Sequence, residues 1–260
     1  MKTSGRHLII WAVAILCGWG GWVGVVRDAT AAVILLDPGH GGEDFGAKVE
    51  TKPTALQPAQ TIYEKDLTLQ VALRIRDELK KLGQQVFLTR SFDRKLTLPE
   101  RAELADKVQA DIFISVHMNS YFHGRSRGLE TYYLDNHHDG AVRKVEQAEN
   151  MVDPNADEVV QKILLDLIIE QTVDTSKKLG NLVHTSIMQK LGPKYKVIDR
   201  GLRPGLFFVL ALAKRPALLL EMGFLSNPKD LNMLLSEEFQ EQYAQAIADG
   251  IMQYLQASKK

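Results

Sequence analysis

The chain has 260 residues, 45% hydrophobic and 25% charged, an ordinary globular composition for one sizeable domain with appendages. Lysine plus arginine and aspartate plus glutamate both number 32, so the basic excess of a nucleic-acid binder is missing and binding to a polyanion by bulk charge is disfavoured. The single cysteine, Cys17, excludes intrachain disulfides and cysteine-ligated zinc, so any metal must use His, Asp or Glu.

At the N-terminus Lys2, Arg6 and His7 precede an apolar stretch from Leu8 to Val26, the order of a secretory signal. Ala29-Thr30-Ala31 offers small residues for cleavage after Ala31, making residues 1–31 a signal peptide. A retained membrane anchor is the alternative, because the run is long enough to span a bilayer. Cys17 follows Ala-Ile-Leu and lacks the small residue that lipoprotein processing requires before it. Either way the remainder, 32–260, is expected outside the cytoplasm, in the periplasm or at the cell wall. Membrane contact is expected only through the N-terminal segment.

Val33 to Leu36 is a short buried strand entering the loop Asp-Pro-Gly-His-Gly-Gly. Residues 50–62, with Pro53 and Pro58, form an exposed connection. Leu67, Val71, Ile75 and Leu79 recur every four residues and Leu82 completes the stripe. Lys80 and Lys81 in the last turn and Gly83 as the stop define an amphipathic helix. Val86 to Thr89 is the next strand, and Thr97-Leu-Pro-Glu100 is a capping box opening a helix toward Val108. Ile112 to Val116 is again a strand. From Asp135 to about Leu191 the rhythm changes to three helices without a strand, one carrying Val159, Val160, Ile163, Leu164, Leu167 and Ile168 on one face and one running from Thr175 to Gln189. That segment is expected to be an insertion or cap on the sheet. Ala217 to Leu220 is a buried strand, and Phe239, Tyr243, Ile247, Ile251 and Tyr254 mark a closing helix. The alternation argues an α/β sheet with helices on its faces, with no internal repeat, no low-complexity linker and no separate second domain expected.

Three reactive residues follow these strands: His40, His117 and Glu221. Sites in open α/β sheets gather at the carboxyl ends of strands. Glu64 sits just before the amphipathic helix, where it can turn toward the same edge. Zinc hydrolases commonly use three His and Glu ligands and keep a fourth position open. A further carboxylate then moves the proton to the leaving group, and Glu221, flanked by Leu218–Leu220 and Met222–Phe224, is placed to do so with a raised pKa. Each residue alone also fits a plainer role. Glu221 suits a salt-bridged strand end, each histidine a satisfied structural residue, and Glu64 a carboxylate favouring the helix dipole.

The motifs Leu35-Leu36-Asp37-Pro38-Gly39-His40-Gly41-Gly42, Glu64-Lys65-Asp66-Leu67-Thr68-Leu69, Ile114-Ser115-Val116-His117-Met118-Asn119-Ser120 and Leu220-Glu221-Met222-Gly223-Phe224-Leu225-Ser226-Asn227 resemble, in order, those of the N-acetylmuramoyl-L-alanine amidases of the amidase_3 family. The resemblance spans about residues 33–256. It implies His40, Glu64 and His117 as Zn²⁺ ligands, Glu221 as catalytic acid/base, and peptidoglycan as substrate, cut between the muramic acid lactyl group and L-alanine. It also implies a twisted, mostly parallel six-stranded sheet, and places Asn119 and Arg90 as contacts to substrate or to the ligand residues. Met118 and Met222 depart from the smaller residues common in the family, which bears on substrate fit rather than on the reacting groups.

The helical segment, about 135–191, resembles that of the cell-division amidases of Gram-negative bacteria, in which an inserted helix plugs the site and an activator protein frees it for daughter-cell separation. That likeness implies Glu149 as an extra metal ligand, with Glu146 second; a solvated charged face is the alternative. His137 and His138 are expected to be loop residues. A zinc peptidase cutting within the stem peptide and an inactive wall-binding scaffold remain the competing functions.

Overall fold

The computed structural model describes residues 31–51, 53, 58–121, 125–150 and 158–258, with backbone alone for 158–164. Strands β1 (Val33–Pro38), β4 (Gln85–Leu88), β5 (Ile112–Asn119), β6 (Leu129–Leu134), β7 (Asp199–Gly205) and β8 (Ala217–Phe224) form one sheet in the order β4-β1-β5-β8-β6-β7. All neighbours run parallel except β6 against β8. The expected six-stranded, mostly parallel sheet is therefore present. A separate two-stranded ribbon, β2 (Lys48–Glu50) with β3 (Thr61–Tyr63), frames the 50–62 connection.

Alternating strand residues separate two apolar layers. Ile34, Leu36, Ile112, Ile114, Leu218 and Leu220 face helices α1 (Glu64–Lys81) and α7 (Glu237–Ala257). Leu35, Phe113, Tyr132, Ala217 and Leu219 face the layer that carries α2 (Leu98–Lys107), α3 (Gly140–Glu149) and α5 (Phe208–Ala213). The expected stripe of α1 is buried at Leu67, Val71, Ile75 and Leu79. The capping box opening α2 is complete, Thr97 Oγ1 accepting from the Glu100 N–H and the Glu100 carboxylate accepting from the Thr97 N–H at 2.7 Å. Short helix α6 (Pro228–Leu234) follows β8.

The segment expected as three helices contains two. After α3, one helix, α4 (Glu158–Tyr195), runs for 38 residues. Leu179, Val183, Ile187 and Leu191, one turn apart, are buried against α7, and Ser186 Oγ donates to Ala246 O at 2.7 Å. Its second half is thus part of the main core rather than a cap. The cause lies in its apolar pattern, which shifts from one face to another near Thr172 and reads as a break although the backbone continues. The inferred export segment, residues 1–31, lies outside the described residues apart from Ala31, and so do the side chains of Val159, Val160, Ile163 and Leu164. Among the described residues no helix is long and apolar enough to cross a membrane.

Candidate metal centre

β1 delivers its loop at the carboxyl edge of the sheet, beside the end of β5. Gly39 passes so close to β5 that a Cβ there would sit 2.4 Å from the His117 ring. His40 follows in a left-handed conformation (φ 60°), unusual for a residue with a side chain. Two buried arginines hold the turn. Arg90 donates to the carbonyls of Pro38 (3.1 Å), Gly39 (2.7 Å) and Lys65 (2.7 Å), and Arg101 to those of Pro38 and His40 (both 3.0 Å). Arg90 thereby braces the loop that carries His40 against the first turn of α1.

Beneath the turn, the buried Asp37 carboxylate accepts from Arg101 (2.6 Å), Thr89 (2.7 Å) and Ser115 (2.8 Å). Burial pushes its pKa up, but the Arg101 charge and the three hydrogen bonds outweigh burial and hold it below the usual carboxylate range. A carboxylate with a depressed folded-state pKa contributes stability that is present above its unfolded pKa of about 3.9 and lost as pH falls through the folded value. Asp37→Asn is expected to cost on the order of 3–5 kcal/mol, the cost of leaving a buried charge without its partner. In urea melts from pH 7 to 2.5 the variant should lose part of the acid-side fall in midpoint shown by the wild type; an unchanged pH profile would refute this account.

Four side chains converge above the turn. Glu64, the first residue of α1, is fixed by two backbone donors, the N–H groups of Ala47 (2.7 Å) and Met118 (2.8 Å). His40 Nδ1 faces both oxygens of Asp44 at 3.0 Å, which leaves Nε2 turned inward, 3.2 Å from Glu64 and 3.4 Å from Glu149. His117 Nδ1 lies 2.8 Å from Glu149 Oε2 and 3.3 Å from Glu64 Oε1. One ligand atom from each of His40, Glu64, His117 and Glu149 falls within 4.8 Å of the others.

Despite these short separations, His40 Nε2, His117 Nδ1 and Glu149 Oε2 are buried without a hydrogen bond of acceptable geometry. Their lone pairs share a space instead of facing one another. Two neutral imidazoles and two carboxylates carry a charge of −2, the complement of one divalent cation, and the donor set suits Zn²⁺. The electrostatics of these side chains agree. Burial opposes charge on His117, yet the Glu149 carboxylate lifts it to about 10, and His40 is raised further, chiefly by Glu64. Burial likewise opposes ionisation of Glu64 and Glu149, but the facing histidines hold both carboxyls down.

Glu149 reaches the cluster from the last turn of α3, and α3 is tied down along its length. Asp139 caps its N-terminus and pairs with Arg203. Val142 and Val145 are buried in the α2/α5 layer. Glu146 points away from the cluster, pairing with His137 at 2.6 Å and accepting from the Leu206 N–H. Asn150 donates to Leu206 O (2.7 Å) and accepts from the Phe208 N–H (2.8 Å). Of the two glutamates considered, Glu149 joins the histidines, Glu146 anchors the helix, and His137 is a loop residue.

Glu221 lies beside His117 in the register of β8 with β5. Both its oxygens are buried and have no hydrogen-bond partner among the described residues. Burial first, and Glu149 next, push its pKa well above the ordinary carboxylate value. Beyond the cluster opens a cavity of about 990 Å³ whose walls include Phe45, Leu96, Asn119, Tyr121, Lys144 and Val209. Sequence reasoning missed Asp44, Asn150 and Glu130. Glu130, a buried carboxylate opposite Glu221, holds Asn119 Nδ2 at 3.2 Å and pairs with Arg200 and Arg203. A lone glutamate in the apolar run Leu129–Leu134 was the available signal.

Residues 34–253 match the Amidase_3 family, described as N-acetylmuramoyl-L-alanine amidase. The chain is 34% identical over 240 residues to the N-acetylmuramoyl-L-alanine amidase AmiC of Neisseria meningitidis, covering 89% of this chain and 55% of that protein. It is 31% identical over 231 residues to the N-acetylmuramoyl-L-alanine amidase AmiA of Escherichia coli, covering 85% and 75%. The chain thus spans about half of the first relative and three quarters of the second. Among solved structures, that of an N-acetylmuramoyl-L-alanine amidase from Clostridium difficile 630 superposes with a TM-score of 0.66 at 30% identity, covering 88% of this chain and 99% of that one.

Proposed function

The chain belongs to the Amidase_3 family of N-acetylmuramoyl-L-alanine amidases, and from that premise we propose that it is an exported, zinc-dependent enzyme that hydrolyses the amide between N-acetylmuramic acid and the L-alanine of the peptidoglycan stem peptide. The observation that supports the reading is the convergence of His40, Glu64, His117 and Glu149 on one space, where His40 Nε2, His117 Nδ1 and Glu149 Oε2 have no hydrogen-bond partner among the described residues.

In this mechanism His40 Nε2, Glu64 and His117 Nδ1 would hold Zn²⁺. A bound zinc ion supplies Lewis acidity toward the substrate carbonyl and the attacking water. The chain's own groups do the rest. Asp44 accepts the proton on His40 Nδ1 and so fixes the tautomer that leaves Nε2 free to bind metal. Glu64 is held against rotation by its two backbone donors. Glu221, beside His117, takes the proton of the attacking water and passes it to the leaving nitrogen of L-alanine. Glu149 Oε2 lies in the space those three ligands share and would hold the ion with them, so α3 would have to withdraw before substrate enters. An activator protein that displaces α3 would turn the enzyme on during wall remodelling or cell separation.

Incubation with purified peptidoglycan tests the reading. Intact stem peptides bearing free L-alanine amino termini are expected. Release should stop after dialysis against a chelator and return with added Zn²⁺, with one zinc per chain by atomic absorption. Fragments that leave alanine on the sugar would assign the protein as a peptidase instead.

A further inference from the structure

Asn119 is a buried amide on the cavity wall, two residues beyond His117 on β5. The pairing of β5 with β8 shifts register between these two residues, and such irregularities commonly re-aim a side chain beside a site. Its Nδ2 donates to Glu130 Oε2 at 3.2 Å. Glu130 is paired with Arg200 and Arg203 and also accepts from Tyr132 OH at 2.7 Å. A carboxylate so paired only accepts, so Asn119 must present its NH₂ to Glu130. The opposite end of the amide, Oδ1, is then fixed away from Glu130, and among the described residues no hydrogen bond reaches it.

We propose that Asn119 is a substrate-contacting residue whose Oδ1 accepts the N–H of the amide being cut, and that Glu130 is the positioning residue that sets its orientation. The inference rests on the amidase reading and adds to it a group that recognises the scissile bond itself. A trans amide points its C=O and N–H in opposite directions. With the carbonyl beside His117, the N–H lies on the other side of the bond, and Asn119, two residues further along β5, lines the same cavity as His117. A carboxylate at this position would also accept, but it would place a second anion beside Glu130; the neutral amide accepts at one end and is held at the other.

The test compares two muramoyl-peptide substrates that differ at one atom: the native amide, and the ester made by placing L-lactate where L-alanine stands, which lacks the N–H. The zinc-loaded full chain carrying Glu149→Ala is the parent, so that α3 does not limit access. Asn119→Ala is expected to lower kcat/KM on the amide about tenfold and to leave the ester within about twofold, so the amide-to-ester ratio falls about tenfold. Glu130→Gln should lower that ratio in the same direction by less, because glutamine can still accept from Asn119 but no longer excludes the flipped amide. Zinc content and thermal melting report whether each variant folds. Equal losses on both substrates, or an unchanged ratio, would overturn the contact. An Asn119→Ala effect with none from Glu130→Gln would overturn the positioning role. A parent that turns over neither substrate would instead overturn the amidase reading.

Discussion

Glu149→Ala is expected to raise basal peptidoglycan hydrolysis on the order of ten- to hundredfold. Activity scales with the fraction of molecules whose site is open, and each tenfold change in that fraction corresponds to about 1.4 kcal/mol. Glu149 Oε2 sits 2.8 Å from His117 and within the four-atom cluster, so its contact with a cation bound there would be charge-assisted and worth more than a neutral hydrogen bond. Alanine removes that contact and leaves His40, Glu64 and His117 untouched, so zinc should be retained. Asn150→Ala offers an independent route. It breaks two hydrogen bonds between α3 and the 206–208 loop without touching the cluster, at about 1 kcal/mol each, and should raise activity by a smaller factor. Dye-release assays on labelled peptidoglycan measure both. Wild-type rates in both variants would mean that α3 does not gate the site.

Much of this site was legible in the sequence because the chemistry sits where strands end. His40 follows β1, while His117 and Glu221 lie inside β5 and β8, directly after the apolar runs Ile112–Val116 and Ala217–Leu220 by which those strands are read. Glu64 was legible only through its motif, since nothing in periodicity distinguishes a ligand from an ordinary first-turn carboxylate. The missing strands have physical reasons. β7 reads Asp-Arg-Gly-Leu-Arg-Pro-Gly, a sheet-edge sequence whose proline, glycines and charges suggest a loop. β6 carries Glu130 inside an apolar run, and only the neighbouring arginines of β7 make that carboxylate tolerable. The choice between Glu149 and Glu146 depends on where α3 meets the Leu206–Phe208 backbone, a contact between segments some 60 residues apart that no local pattern encodes.

Glu221→Gln should reduce kcat by about 10²–10⁴, the usual contribution of a positioned acid/base, while zinc content stays at one per chain. Glutamine is the informative substitution because it keeps the shape and removes only the transferable proton. It should also fold well, because burial and then the Glu149 charge disfavour the ionised carboxyl and glutamine adds no charge to that buried position. Sign follows from linkage: a carboxyl whose folded pKa lies above its unfolded value costs stability as pH rises above the unfolded value, so Glu221→Gln should melt no lower than wild type at neutral pH. Its partner substitution in the cluster behaves oppositely. Glu64→Gln weakens a ligand held by two backbone donors, and both metal and turnover should fall together. If Glu221→Gln loses zinc or melts early, the residue supports the fold. If it keeps both zinc and turnover, the proton must travel by another group.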